Sequence, residues 1–176
     1  MQRLTPEQRK DIFSSFERFA YHLEMRDWYA VDEEKDRLAR WRAGEQVRPM
    51  SKEDWWRPWH TIIRDARQRG AVVRRARIVS EPVTDYIRYE WEGTYQNVEA
   101  GEEVRWLPRR LASGIALPGN DFWLFDDKTV MFNHFTGDGG SAGKEFVTEP
   151  AVIKLCHSAF DAVWEIATPH SDYQPR

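Results

Sequence analysis

The side chains able to do chemistry are unevenly spread along the 176 residues. Between Arg57 and Arg77 stand seven arginines (57, 64, 67, 69, 74, 75, 77) against one acid, Asp65. Between Glu81 and Glu103 seven acids stand against one base, Arg88. A guanidinium-rich stretch suits phosphate, nucleic acid or an acidic partner, because its planar fork grips oxyanions through paired donors. It can equally pair with the acidic stretch that follows it. Arg75, Arg77, Arg105 and Arg109 could gather at one end of a sheet, where α/β folds place ligands, or pair with Asp121, Asp126 and Asp127. Asn120, Asp121 and Asp126 bracket the most apolar strand and could orient a ligand or cap turns. His134 is the catalytic candidate if the protein is an enzyme, with Asp126 and the arginines beside it.

Other constellations carry less. His134 with Asp138 would supply two ligands for a divalent metal, but two ligands in a loop equally describe a hairpin histidine beside a turn aspartate; no metal or cofactor is expected. The glycine loop 137–143 lacks the phosphate-loop pattern, since Gly143-Lys144 is followed by Glu145, and reads as a connector. Cys156 lies on an apolar helix face and reads as a core residue. Trp55, Trp56 and Trp59 form an aromatic group in which Trp56 points away from the other two and is a candidate partner contact.

Composition sets the frame for these groups. Hydrophobic residues make up 41% and aromatics 14%, enough for a folded core. A single cysteine leaves no internal disulfide. No run of about eighteen apolar residues is present and no apolar stretch follows the first charges, so the expectation is a cytoplasmic domain without a membrane contact. The net charge of −3 counts against a nucleic-acid binder.

The elements that must position the groups follow from spacing. Thr5-Pro6 opens a helix with a capping box closed by Gln8, and Ile12, Phe13, Phe16, Phe19, Ala20 and Leu23 continue it at helical spacing. Further helices are expected over 33–43 and around Trp55–Ala66, and residues 45–50 read as a loop. A strand over 71–79 precedes a helix over 82–100, capped by Ser80 and weakened by Gly93. A strand over 104–107, a hairpin of 122–125 with 129–135, and a last helix from Thr148 to Ala167 complete the order. This is an α/β fold: a helical subdomain, 1–69, ahead of an α/β domain, 70–176; if its first two strands are parallel neighbours, their crossover is right-handed.

Residues Arg75–Val79, Asp85-Tyr86, Asn97-Val98 through Gly101-Glu102, Val104–Pro108 and Asp121–Asp126, with Ala159–Trp164 in the last helix, resemble one half of a phospholipase D-like fold. Phe19-Ala20 to Leu23-Glu24, Gly119–Asp126 and Pro169-His170 make the whole chain similar to an uncharacterised actinobacterial, Streptomyces-type family. The resemblance implies a phospholipase D-like sheet flanked by helices. Active members of that fold use a His separated by one residue from a Lys, as nucleophile and phosphate holder. None of the five histidines here has Lys two positions on. His22, His60, His134, His157 and His170 are followed there by Glu24, Ile62, Thr136, Ala159 and Asp172.

Three functions therefore stand side by side. The first is a non-catalytic regulatory or interaction module, dimeric, partnering a helix-turn-helix transcriptional regulator or sensing a small anionic ligand. The second is an enzyme with rewired, phosphodiesterase-like or other hydrolytic chemistry around His134 and the arginines. The third is a nucleic-acid binder acting through Arg57–Arg77, with strongly salt-dependent affinity.

Overall fold

Alternation along six residues decides the centre of the molecule. In β1 (Phe19–Glu24), Phe19, Tyr21 and Leu23 point to one face while Ala20, His22 and Glu24 point to the other. A computed structural model, describing residues 5–31, 34–45 and 51–176, places this strand in a seven-stranded sheet of order β6-β5-β4-β1-β2-β3-β7. The neighbours are β2 (Val72–Val79) and β3 (Glu103–Pro108), both parallel, and β4 (Asp121–Phe125), β5 (Thr129–Phe135) and β6 (Ser141–Val147), antiparallel in turn. The two-residue β7 (Thr168–Pro169) closes the far edge.

The first helix is therefore shorter than its apolar spacing suggests. The capping box of Thr5 and Gln8 starts α1 (Pro6–Ser15) as expected, but the chain then turns into β1. The reason lies 107 to 109 residues away. The Asp126 carboxylate accepts the backbone N–H groups of Glu17, Arg18 and Phe19 at 2.7 to 2.8 Å, drawing those donors out of a helix. A short run with Phe19, Tyr21 and Leu23 at alternate positions and Phe16, Phe19, Ala20 and Leu23 at helical spacing fits either period, and only sheet pairing separates them. Residues 1–69 thus contribute a central strand, and the sheet draws on chain from both sides of the expected boundary at 69/70.

One face of the sheet is covered by α7 (Pro150–Ile166), whose Cys156, Phe160 and Val163 pack on Leu23, Ile78 and Phe122. The opposite face carries α1, α4 (Pro58–Gln68), α5 (Asp85–Gly93) and α6 (Tyr95–Ala100). Between α1 and α4 along the chain lie α2 (Lys35–Arg42) and the single turn α3 (Lys52–Trp55). Most of the expected loop 45–50 falls outside the described residues, as does the expected start of α2 at Glu33.

Three local expectations are corrected. The helix over 82–100 is two helices meeting at Thr94, whose hydroxyl donates to the Glu90 carbonyl. Its cap is Thr84, which accepts from the Ile87 N–H; Ser80 instead donates its N–H and hydroxyl to Asp27. The glycine loop is a tight turn, Thr136 N–H donating to the Gly140 carbonyl, and its second half is strand β6. Among the described residues no helix is long and apolar enough to cross a membrane.

Candidate functional site

The helix-covered face carrying α1, α4, α5 and α6 holds two apolar clusters. One joins Phe13, Trp123, Phe125 and Met131; the other joins Tyr86, Ile87, Trp106 and Tyr173. Where they part, β1 and β2 present His22, Glu24, Arg75 and Arg77. The parallel register sets His22 beside Arg75 and Glu24 beside Arg77.

These side chains form an unbroken chain of alternating charge. Glu102 Oε1 lies 2.8 Å from Arg75 Nε, and Arg75 Nη1 lies 3.1 Å from Glu24 Oε1. Glu24 Oε2 lies 2.8 Å from Arg77 Nε, and Arg77 Nη2 lies 2.7 Å from Glu90 Oε2. Asn97 Nδ2 donates to the second oxygen of Glu102. Buried charges persist when they are paired. Glu24 accepts one hydrogen bond from Arg75, Arg77 donates one to Glu90, and Glu24 and Arg77 meet each other as an ion pair without hydrogen-bond geometry. Burial would raise the Glu24 carboxyl, but Arg77 and Arg75 outweigh it and hold it down to about 2. Burial also opposes the charge on Arg77, yet Glu24 and Glu90 keep it firmly protonated. His22 stacks on Trp123 at 4.1 Å, and burial holds it neutral, well below its ordinary range.

Above this network lies a cavity of about 720 Å³. Its floor is Arg75 and Arg77. One wall is the start of α4 with α6: Arg57, Trp59, His60, Tyr95 and Asn97. His60 is buried, and its Nδ1 accepts the Arg57 N–H at 3.0 Å, which fixes the entry to α4. The other wall is α2 with α5: Glu34, Arg37, Trp41, Tyr89, Glu90 and Glu92. That wall is braced by Trp41 Nε1 donating to Glu92 at 2.7 Å, by the Tyr86 hydroxyl donating to Glu34 at 3.3 Å, and by Trp41 edge-on to Tyr89. Burial, then the charge of Glu90, push the Glu34 carboxyl up to about 7.

The other expected site residues lie elsewhere. The four arginines do not gather at one sheet end. Arg75 and Arg77 floor the cavity, whereas Arg105 lies on the face covered by α7, donating to the Trp164 carbonyl at 2.8 Å with its guanidinium over the Trp164 ring. Arg109 follows β3 and ties strand ends together through Ser80, Asp27 and the carbonyls of Met25 and Ile78. Odd and even positions of one strand face opposite ways, which parts Arg74 from Arg75, and the register that pairs Arg105 with Ala76 puts Arg105 on the far face too.

Asp121 accepts from Met25 N–H and the Tyr29 hydroxyl, and burial pushes it up to about 6. Asn120 is exposed, and Asp126 is a turn anchor. His134 lies on the sheet face away from the cavity, its Nε2 3.0 Å from Glu145 on the neighbouring strand. Trp56 is half-buried against Trp55 and His60, its N–H donating to Thr61. The stretch Arg57–Arg77 divides among α4 and both faces of β2, and pairs with the acidic stretch through Arg74–Glu103, Arg75–Glu102 and Arg77–Glu90.

Several residues of the site escaped the sequence. Glu24 and His22 were hidden in a segment read as helix. Glu90 did leave a trace, as the one acid interrupting an apolar helical face. Among the described residues no group of three or more His, Cys, Asp or Glu is placed to hold a metal.

Helices on both sides of a seven-stranded mixed sheet make an α/β fold, and a structural comparison shows it to be phospholipase D-like. The chain aligns with a solved phospholipase D family member, Nuc from Salmonella typhimurium, at a TM-score of 0.51 and 11% identity. That alignment covers 94% of this chain and 93% of the other, and it speaks to the fold. Residues 7–175 match the family described as Domain of unknown function (DUF6879), and the chain belongs to that family. No curated protein matches it.

Proposed function

We propose that this protein is a non-catalytic binding module whose cavity takes a small anionic ligand, with occupancy read by a partner protein or a second copy of the chain. The observation that carries the reading is the cavity floored by Arg75 and Arg77 and flanked by Arg57. Arg75 commits Nε and Nη1 to Glu102 and Glu24, so Nη2 is the donor it offers a ligand. Arg77 commits Nε and Nη2, which leaves Nη1. Donors locked in place by carboxylates lose little freedom on binding, which favours a preorganised pocket. The non-catalytic part of the reading rests on the sequence, which has no His-x-Lys pair, and on His134 facing away from the arginines.

Titration calorimetry with inorganic phosphate and with citrate tests the reading. Binding that is lost in Arg57→Gln, with the unfolding transition unchanged, supports it. Absence of binding by either anion at low salt, or binding that Arg57→Gln leaves intact, overturns it.

A further inference from the structure

The cavity is electrically divided, and the division follows its elements. At the α4–α6 end two arginines, Arg57 and Arg75, stand against the single carboxylate of Glu102 beneath them, with Asn97 donating to that carboxylate. Burial lowers the His60 pKa, outweighing the hydrogen bond to Asn97 and the charge of Glu102, which raise it. At the α2–α5 end three carboxylates, Glu34, Glu90 and Glu92, stand against Arg37 and Arg77. Glu24 bridges both floor arginines and belongs to neither end. One end thus has a surplus of positive charge, and the other acquires a surplus of negative charge as Glu34 ionises.

The aromatic lining sharpens the contrast. Trp41 and Tyr89 meet edge to face, with centroids 6.0 Å apart, beside Glu34 and Glu92. Aromatic faces with adjacent carboxylates attract an ammonium, and the gain rises as the site is desolvated. A ligand carrying only negative charge would leave that end unanswered and would lie near three glutamates.

We infer that the ligand is a compact zwitterion, its carboxylate or phosphate held at Arg57 and Arg75 and its protonated amine held at Glu34 beside Trp41 and Tyr89. This rests on the binding-module reading and narrows it. The Glu34 carboxyl, raised to about 7, faces Glu90 and Tyr86 from α5, Arg77 from β2 and Arg37 from its own helix. Ionising it strengthens the grip on an amine, so affinity for the zwitterion rises between pH 6 and 8.

The test uses ω-amino acids from γ-aminobutyrate through ε-aminohexanoate to ω-aminooctanoate, each beside the fatty acid and the primary amine of the same length. Affinity is read by titration calorimetry on the full chain. At one length or more, the zwitterion should bind at least about tenfold tighter than either partner compound, a difference near 1.4 kcal/mol. Glu34→Gln should remove that advantage while leaving the fatty acid's affinity unchanged. Arg57→Gln should weaken the zwitterion and leave the amine alone. Circular dichroism melts confirm that both variants fold.

Fatty acids binding as tightly as their zwitterions would overturn the inference and leave the anionic reading standing. Amines binding as tightly as the zwitterions, with the fatty acids silent, would overturn both. A series without any binder, in a protein that still binds phosphate or citrate, would overturn the inference alone.

Discussion

Arg75 Nε and Glu102 Oε1 meet at 2.8 Å across 27 residues of chain, joining the middle of β2 to the turn that begins β3. Glu102 is 2% exposed, and both its oxygens are occupied, by Arg75 and Asn97. This pair therefore does two things: it fixes the direction of the Arg75 guanidinium under the cavity, and it pins α6 to the sheet.

Removing Glu102 leaves a nearly buried guanidinium short of one partner. Glu102→Ala should cost about 3–5 kcal/mol, the range for breaking a buried pair from one side. The midpoint of urea unfolding reads the loss. Arg75 also holds the buried Glu24, so Arg75→Met, which leaves Glu102 and Glu24 each short of a partner, should cost at least as much as Glu102→Ala. A smaller cost would show that Arg77 alone suffices for Glu24.

Acid should unfold the protein through Glu24. Its carboxyl is held at about 2 against an ordinary 4.5, so its contribution is full above about 4.5 and is lost as pH falls toward 2. The shift corresponds to about 3 kcal/mol. Stability measured from pH 5 to pH 2.5 should fall more steeply in the parent than in Glu24→Gln, which lacks the titrating group.

Asp121 runs the other way. Burial raises it to about 6 from an ordinary 3.8, so its neutral form favours the folded state, and stability is lost as pH rises through about 6. Asp121→Asn should flatten the stability profile between pH 4 and 7. The same profile in both proteins would mean that Asp121 ionises without cost.

Asp126 anchors the change from α1 to β1 by accepting three backbone donors. Asp126→Ala leaves those donors unmet and places alanine at φ 52°. A loss of about 3 kcal/mol or more is expected. Amide hydrogen exchange should rise first at Phe19 and Ala20, the N-terminal end of the central strand.

Gly101 ends α6 at φ 109°, and a Cβ there would sit 2.8 Å from Arg67 Cγ. The Arg67 side chain can swing aside, but the backbone angle cannot relax. Gly101→Ala should cost about 1–2 kcal/mol in a thermal melt.

Local signals served well where one rule acted alone. The Thr5 capping box, the strand Val72–Val79, the hairpin of β4 and β5 and the apolar face of α7 all stand where spacing and turn chemistry place them. Gly93 marked the region where a long helix divides. The pairing of the basic with the acidic stretch was also open to reading, because opposite charges that follow one another in sequence often meet.

What spacing could not supply was the identity of Phe19–Glu24. Six residues whose apolar members suit both helical and alternate spacing satisfy a helix or a strand, and the choice was made by Asp126, Val72 and Phe125, all far along the chain. With that strand unseen, Glu24 could not be set beside Arg77, nor could the arginines of β2 be separated from Arg105 and Arg109. Sequence alone determined the amount of charge and aromatic surface, the α/β class and most element ends, because those depend on neighbours three or four residues apart. Tertiary structure alone decided which charges share a face and enclose a cavity, because strand register and sheet order join residues that the chain keeps dozens of positions apart.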